Sequence, residues 1–151
     1  MLISELLTPA RVIPALKANN KKQVLTELAS AASKELQTDE QAVLDVLVER
    51  ERLGTTAMGE GVAIPHGKLD GLDGIFLIFA RADRPVPFDA PDGRPADLFF
   101  LLLTPENAGA DHLTALAKLS RLLRDKRMCA VLRGSDDPEV IYSAILESEQ
   151  K

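Results

Sequence analysis

The sequence predicts an α/β fold, a single domain arranged as a three-layer α/β/α sandwich around a mixed sheet. Three observations carry that prediction. Ile75–Arg81 and Leu98–Leu103 are short apolar runs rich in branched and aromatic residues, as strands are. Their apolarity is continuous rather than alternating, so both faces need cover, and helices supply it. Helical periodicity flanks these runs on either side, and 151 residues are enough to enclose one core.

The elements follow in chain order. Ser4–Leu7 is a helical turn stopped by Thr8-Pro9. Arg11–Leu16 reads as an edge strand, because Pro14 cannot donate to a ladder. Asn20 and Gln23 form a capping pattern that opens a helix through Leu36, with Val24, Leu25, Leu28 and Ala32 on one face. Thr38 and Gln41 repeat the pattern before a helix that turns Val43, Leu44, Leu47 and Val48 inward and ends near Arg52, ahead of Gly54. Val62–Ile64 is a third short strand. Asp83–Pro95 holds four of the nine prolines and reads as a stiff loop. Asp111 caps a helix bearing Leu113, Leu116, Leu119 and Leu123, and Gly134 closes a further short one. Asp137-Pro138 is an N-cap with proline at the first helical position, opening a last helix with Ile141, Ile145 and Leu146.

Composition narrows the function. With 46% hydrophobic and 27% charged residues, the chain is that of an ordinary globular protein. A net charge of −5 and a pI near 5.1, with lysines and arginines interspersed among acids, argue against nucleic acid as a partner. The longest apolar runs fall far short of the about 20 residues of a membrane helix, and the N-terminus has no basic, then apolar, leader pattern. No membrane insertion is expected. The single cysteine, Cys129, excludes an internal disulfide, fits a cytoplasmic location, and reads as a structural thiol. Two histidines and one cysteine offer no metal-ligand spacing, and neither a P-loop nor a dinucleotide loop is present, so no cofactor is expected.

The most informative stretch is Gly59-Glu60-Gly61-Val62-Ala63-Ile64-Pro65-His66-Gly67-Lys68. His66 follows a β-branched run, and Pro65 frays the strand or brings it to an edge just before it. Gly67 leaves space beside the imidazole for a second backbone or a phosphate. Taken alone, Pro-His-Gly suits a partly buried structural histidine as well as an outward-facing reactive one.

The stretch Arg50-Glu51-Arg52-Leu53-Gly54-Thr55-Thr56, followed by the block ending in His66-Gly67-Lys68, resembles the active-site block of the type-2 enzyme IIA domains. These belong to the bacterial phosphoenolpyruvate-dependent phosphotransferase system, fructose/mannitol class. Pro87–Leu98 is similar to the family's later strand-loop-strand segment, and His112-Leu113 with Leu116 and Leu119 to the helix that follows. The resemblance spans about Ile3 to Leu146, and Lys68 after His66-Gly67 fits the nitrogen-regulatory subgroup.

The resemblance implies that His66 is a phosphohistidine, loaded on its distal nitrogen by an HPr-like phosphocarrier protein. Histidine suits that task, because at neutral pH one ring nitrogen is a free nucleophile while the other keeps its proton. A backbone carbonyl near Gly67 is a candidate acceptor for that proton. Arg50 is implied as the cation that meets the phosphate, since its planar fork matches phosphate oxygens; read alone it is an arginine placed favourably near a helix C-terminus. His112 is implied as a hydrogen-bond donor beside the active histidine; read alone it is a first-turn surface residue. Thr56 and Lys68 are weaker candidates for contact with phosphate. Three functions stand open. One is a regulator whose phosphorylation state is read by targets such as potassium-transport regulators and sensor kinases. The second is a sugar-transport enzyme IIA that passes phosphate to a IIB domain. The third is a binding module in which His66 is only structural.

Overall fold

In a computed structural model, residues 1–150 are described. The chain opens with a short helix α1 (Ile3–Leu6) and a 3-10 turn (Pro9–Arg11), then strand β1 (Val12–Leu16). Two helices follow, α2 (Lys21–Leu36) and α3 (Glu40–Arg52). Five strands come next: β2 (Ala57–Gly59), β3 (Val62–Ala63), β4 (His66–Lys68), β5 (Phe76–Val86) and β6 (Ala96–Thr104). Helices α4 (Ala110–Arg124), α5 (Lys126–Arg133) and α6 (Pro138–Glu149) complete it.

The sheet is mixed, in the order β1-β5-β6-β3-β2 with β4 also paired to β6. β5 and β6 form a long antiparallel pair, whereas β1 on β5, and β3 and β4 on β6, are parallel. Alternation along the two central strands splits the core in two. Phe76, Ile78, Phe99, Leu101 and Leu103 pack with α2 and α3 on one face. Leu77, Phe79, Leu98, Phe100 and Leu102 pack with α1, α4, α5 and α6 on the other. This is the expected three-layer arrangement. Each such side chain, fully buried, contributes about 1.5–3 kcal/mol.

Several boundaries differ from the sequence reading, each for a physical reason. β5 runs on through Pro85 to Val86, so the stiff loop begins only after it; past Ala82 the strand has lost β1, and a proline on a free edge costs no ladder bond. α3 is capped by Asp39 rather than Thr38, its carboxylate accepting the Ala42 N–H. α4 starts at Ala110 behind Gly109, without a side-chain cap, so Asp111 lies inside the first turn. The buried face of α4 is His112, Ala115, Leu119 and Leu123; Leu119 and Leu123 face inward as expected, Leu116 is partly buried against the same core, and only Leu113, 69% exposed, departs from the expected stripe.

The Val62–Ile64 run ends as a strand at Ala63 but pairs in two directions, because β2 folds back on it as an unforeseen hairpin. Its turn residues Glu60 and Gly61 both have positive φ, 54° and 83°, as a tight two-residue hairpin turn requires. Pro65 interrupts the ladder without ending it. Its carbonyl still accepts the Leu102 N–H, and β4 resumes the parallel pairing with β6. Cys129 is buried, its thiol donates to the Leu123 carbonyl, and burial pushes its pKa up, as suits a structural thiol.

Candidate functional site

His66 is the first residue of β4, held against Leu102 of β6. Its Nδ1 lies 2.7 Å from the Ile64 carbonyl. A carbonyl only accepts, so Nδ1 carries the proton and Nε2 keeps its lone pair. The acceptor is therefore two residues before the histidine, not near Gly67 as the sequence suggested. The ring is half-buried rather than standing free.

Of the two neighbours expected beside Gly67, a second backbone or a phosphate, the structure places the first. A Cβ at this position would overlap the Val46 side chain of α3. The missing side chain lets α3 lie against β4, so a helix rather than a phosphate takes the space. That close approach brings Arg50, in the last turn of α3, over the imidazole. Its Nε donates to His66 Nε2 at 3.2 Å, and its Nη1 donates to the Gly54 carbonyl at 2.8 Å. The guanidinium is thus anchored at one end and presented to the nucleophilic nitrogen at the other.

His112 reaches the same place from the opposite layer. The two imidazole centroids are 5.6 Å apart, tilted by 56°. Its Nδ1 is 2.6 Å from the hydroxyl of Thr104, which is fully buried at the end of β6. His112 is only 9% exposed, which excludes the surface-residue reading. Both histidines have lowered pKa values. For His66 the chief cause is desolvation; the Ile64 hydrogen bond opposes it, Arg50 adds to it and Glu51 offsets it. For His112 it is desolvation, then the charges of His66 and Lys68. Each ring is therefore held neutral near pH 7, and His66 is an available nucleophile.

Of the weaker candidates, Lys68 is exposed on β4, close enough to bias His112. Thr56 is buried, with its hydroxyl bonded to Glu51, so it is not free to meet a phosphate. Sequence reasoning missed Thr104, whose signal was a single polar residue closing a run of four leucines and two phenylalanines, and missed the burial of Glu51. Among the described residues no group of three or more His, Cys, Asp or Glu side chains could hold a metal ion, and no helix is long and apolar enough to cross a membrane.

Residues 5–148 match the family described as phosphoenolpyruvate-dependent sugar phosphotransferase system, EIIA 2. A nitrogen regulatory protein of Bradyrhizobium diazoefficiens is 56% identical over 145 residues, covering 96% of this chain and 95% of that one. A fructose-specific EIIA component of Haloferax volcanii is 38% identical over 109 residues, covering 72% of this chain and 71% of that one. Among solved structures, the nitrogen regulatory protein IIA-Ntr from Neisseria meningitidis superposes with a TM-score of 0.89 at 35% identity, covering 95% of this chain and 98% of that one.

Proposed function

This chain belongs to the phosphoenolpyruvate-dependent sugar phosphotransferase system EIIA 2 family, and on that basis we propose that it is a cytoplasmic phosphohistidine carrier with a regulatory output. His66 takes a phosphoryl group from an HPr-like phosphocarrier protein, and targets such as potassium-transport regulators or sensor kinases read the result. The observation that carries the reading is the pairing at one imidazole: Nδ1 tied to the Ile64 carbonyl and Nε2 facing a guanidinium.

The transfer balances without a proton donor. The Nε2 lone pair forms the new N–P bond as the N–P bond to the donor's phosphohistidine breaks, and the donor ring keeps that electron pair. His66 retains its Nδ1 proton throughout. As Nε2 gives up electron density the ring gains positive character, and the Ile64 carbonyl stabilises it, much as a carboxylate does for a catalytic imidazole. The phosphoryl group carries charge spread over three oxygens, so positioned cations do most of the work. Arg50 changes partner, from the Nε2 lone pair to a phosphate oxygen. Where the Thr104 hydroxyl donates to Nδ1 of His112, the His112 proton sits on Nε2, from which it can give a hydrogen bond to the same group.

The nitrogen regulatory relative at 56% identity supports the regulatory output over sugar transport. The fructose-specific relative keeps the transport reading alive as a rival. Incubation with phosphoenolpyruvate, enzyme I and a phosphocarrier, followed by intact mass, tests the carrier reading. One phosphate on the wild type and none on a folded His66→Ala variant is expected. Phosphate retained by that variant and mapped to His112 would reverse the roles. Onward transfer to an added IIB domain would favour transport.

A further inference from the structure

Behind His66 lies a set of polar residues with no place in the chemistry above. Glu51 sits one residue after Arg50 in the last turn of α3, and its side chain is only 6% exposed. One carboxylate oxygen accepts the Thr56 N–H at 3.0 Å and lies 2.8 Å from Nζ of Lys21, the first residue of α2. The other accepts the Thr56 hydroxyl. The Thr56 carbonyl accepts the Ile64 N–H at 3.1 Å, and the Ile64 carbonyl accepts His66 Nδ1–H at 2.7 Å. A line of contacts therefore joins the Lys21 ammonium to the imidazole through the backbones of Thr56 and Ile64, each residue being held at its N–H and passing the constraint on through its carbonyl.

Glu51 is poorly placed if its task is only to stabilise. The C-terminal turn of a helix repels a carboxylate. A buried ion pair is weak support for a fold compared with apolar packing, and its better-attested use is to specify one arrangement. Here the arrangement specified is that of the active histidine. By holding the Thr56 N–H and hydroxyl, the carboxylate fixes where the Thr56 carbonyl meets the Ile64 N–H, and so where the Ile64 carbonyl meets the imidazole.

We propose that Glu51, clamped by Lys21 and Thr56, is a positioning residue for phosphoryl transfer: it sets the Thr56–Ile64 backbone that holds His66 in its Nδ1–H form and fixes the helix turn that carries Arg50. The proposal rests on the carrier reading of His66 and deepens it. Glu51→Gln keeps the shape but offers one acceptor oxygen where the carboxylate offers two, so Thr56 and Lys21 cannot all be served. Thr56→Val is a second, milder cut in the same line. Leu132→Ala, in the core of the opposite layer, destabilises without touching the line.

Two readouts separate positioning from stability. Nitrogen-15 NMR of the unphosphorylated protein should show His66 protonated on Nδ1 in the wild type and in Leu132→Ala, and a mixture of tautomers in Glu51→Gln and Thr56→Val. Transfer from a phosphorylated HPr-like carrier should slow about tenfold or more in the latter two, in kcat more than in KM. Wild-type tautomer and rate in both line variants would overturn the proposal, as would the same changes in Leu132→Ala. Should the wild type accept no phosphate, the carrier reading fails on its own, and the tautomer measurement still decides the positioning role.

Discussion

Gly67→Ala tests how the site is assembled. The backbone at Gly67 is not in the left-handed region, so an alanine is conformationally allowed there, and by restricting the unfolded chain it would stabilise by about 0.4–1 kcal/mol. The added methyl overlaps the Val46 side chain, while the Val46 carbonyl, at 3.6 Å, is at ordinary contact. Overpacking of this kind costs about 1–3 kcal/mol, so the net loss lies between about 0 and 2.6 kcal/mol. For a domain of this size that lowers Tm by up to about 10 °C. Relief requires α3 to move away from β4, which draws Arg50 off His66, so phosphoryl acceptance should fall as well. Val46→Ala removes the colliding methyl. In a double-mutant cycle the two changes should couple favourably, by about 0.5–3 kcal/mol, and the double variant should regain phosphoryl transfer relative to Gly67→Ala. Denaturant unfolding and single-turnover phosphorylation of the four proteins measure this. Additive stabilities, or a Gly67→Ala protein that transfers at the wild-type rate, would refute the packing argument.

Arg50→Ala should slow phosphoryl acceptance about a hundredfold, the scale of losing one donor to a developing anion. It should cost only about 0.5–1.5 kcal/mol of stability, from the lost bond to the Gly54 carbonyl. The His66 pKa should rise at the same time, because Arg50 helps to lower it, and NMR titration reads that shift. Both histidines have folded-state pKa values below the ordinary 6.5, so the unfolded chain binds more protons as the pH drops. Their stabilising effect is complete above pH 6.5 and is lost as the pH falls toward the folded values; urea unfolding across that range should show stability declining with acid, less steeply in His66→Ala. Phosphorylation adds about −1.5 to −2 charge to a chain already at −5, so its effect on target affinity should shrink in 1 M salt, where the Debye length is about 3 Å. A salt-independent difference, with amide exchange altered far from His66, would point instead to a conformational switch.

The layers and most helices were legible because their signals are local. Asn20 caps α2 through the Gln23 N–H, as the spacing implies, and the alternating burial of β5 and β6 follows from two uniformly apolar runs. β4 was not legible. Three residues with no apolar pattern form a strand only because β6 offers an open parallel edge beyond Pro65. Leu113 was misplaced at the start of α4 because counting leucines put it inside, whereas the fold buries His112 against Thr104. Arg50, His66 and His112, named from sequence, do converge. Glu51 could not be read as buried, since its partner Lys21 is distant in the chain and meets it only when α2 packs on α3. Gly67 was correctly singled out for its missing side chain, and of the two neighbours considered, a second backbone or a phosphate, a helix fills the space.

The central claim is that Nε2 of His66 accepts the phosphoryl group while Nδ1 keeps its proton. Long-range proton–nitrogen NMR of the phosphorylated protein tests it directly. Phosphorus coupling is expected at His66 Nε2, with a protonated Nδ1 still bonded to the Ile64 carbonyl and an unmodified His112. Phosphate on His66 Nδ1, or on either nitrogen of His112, would contradict it.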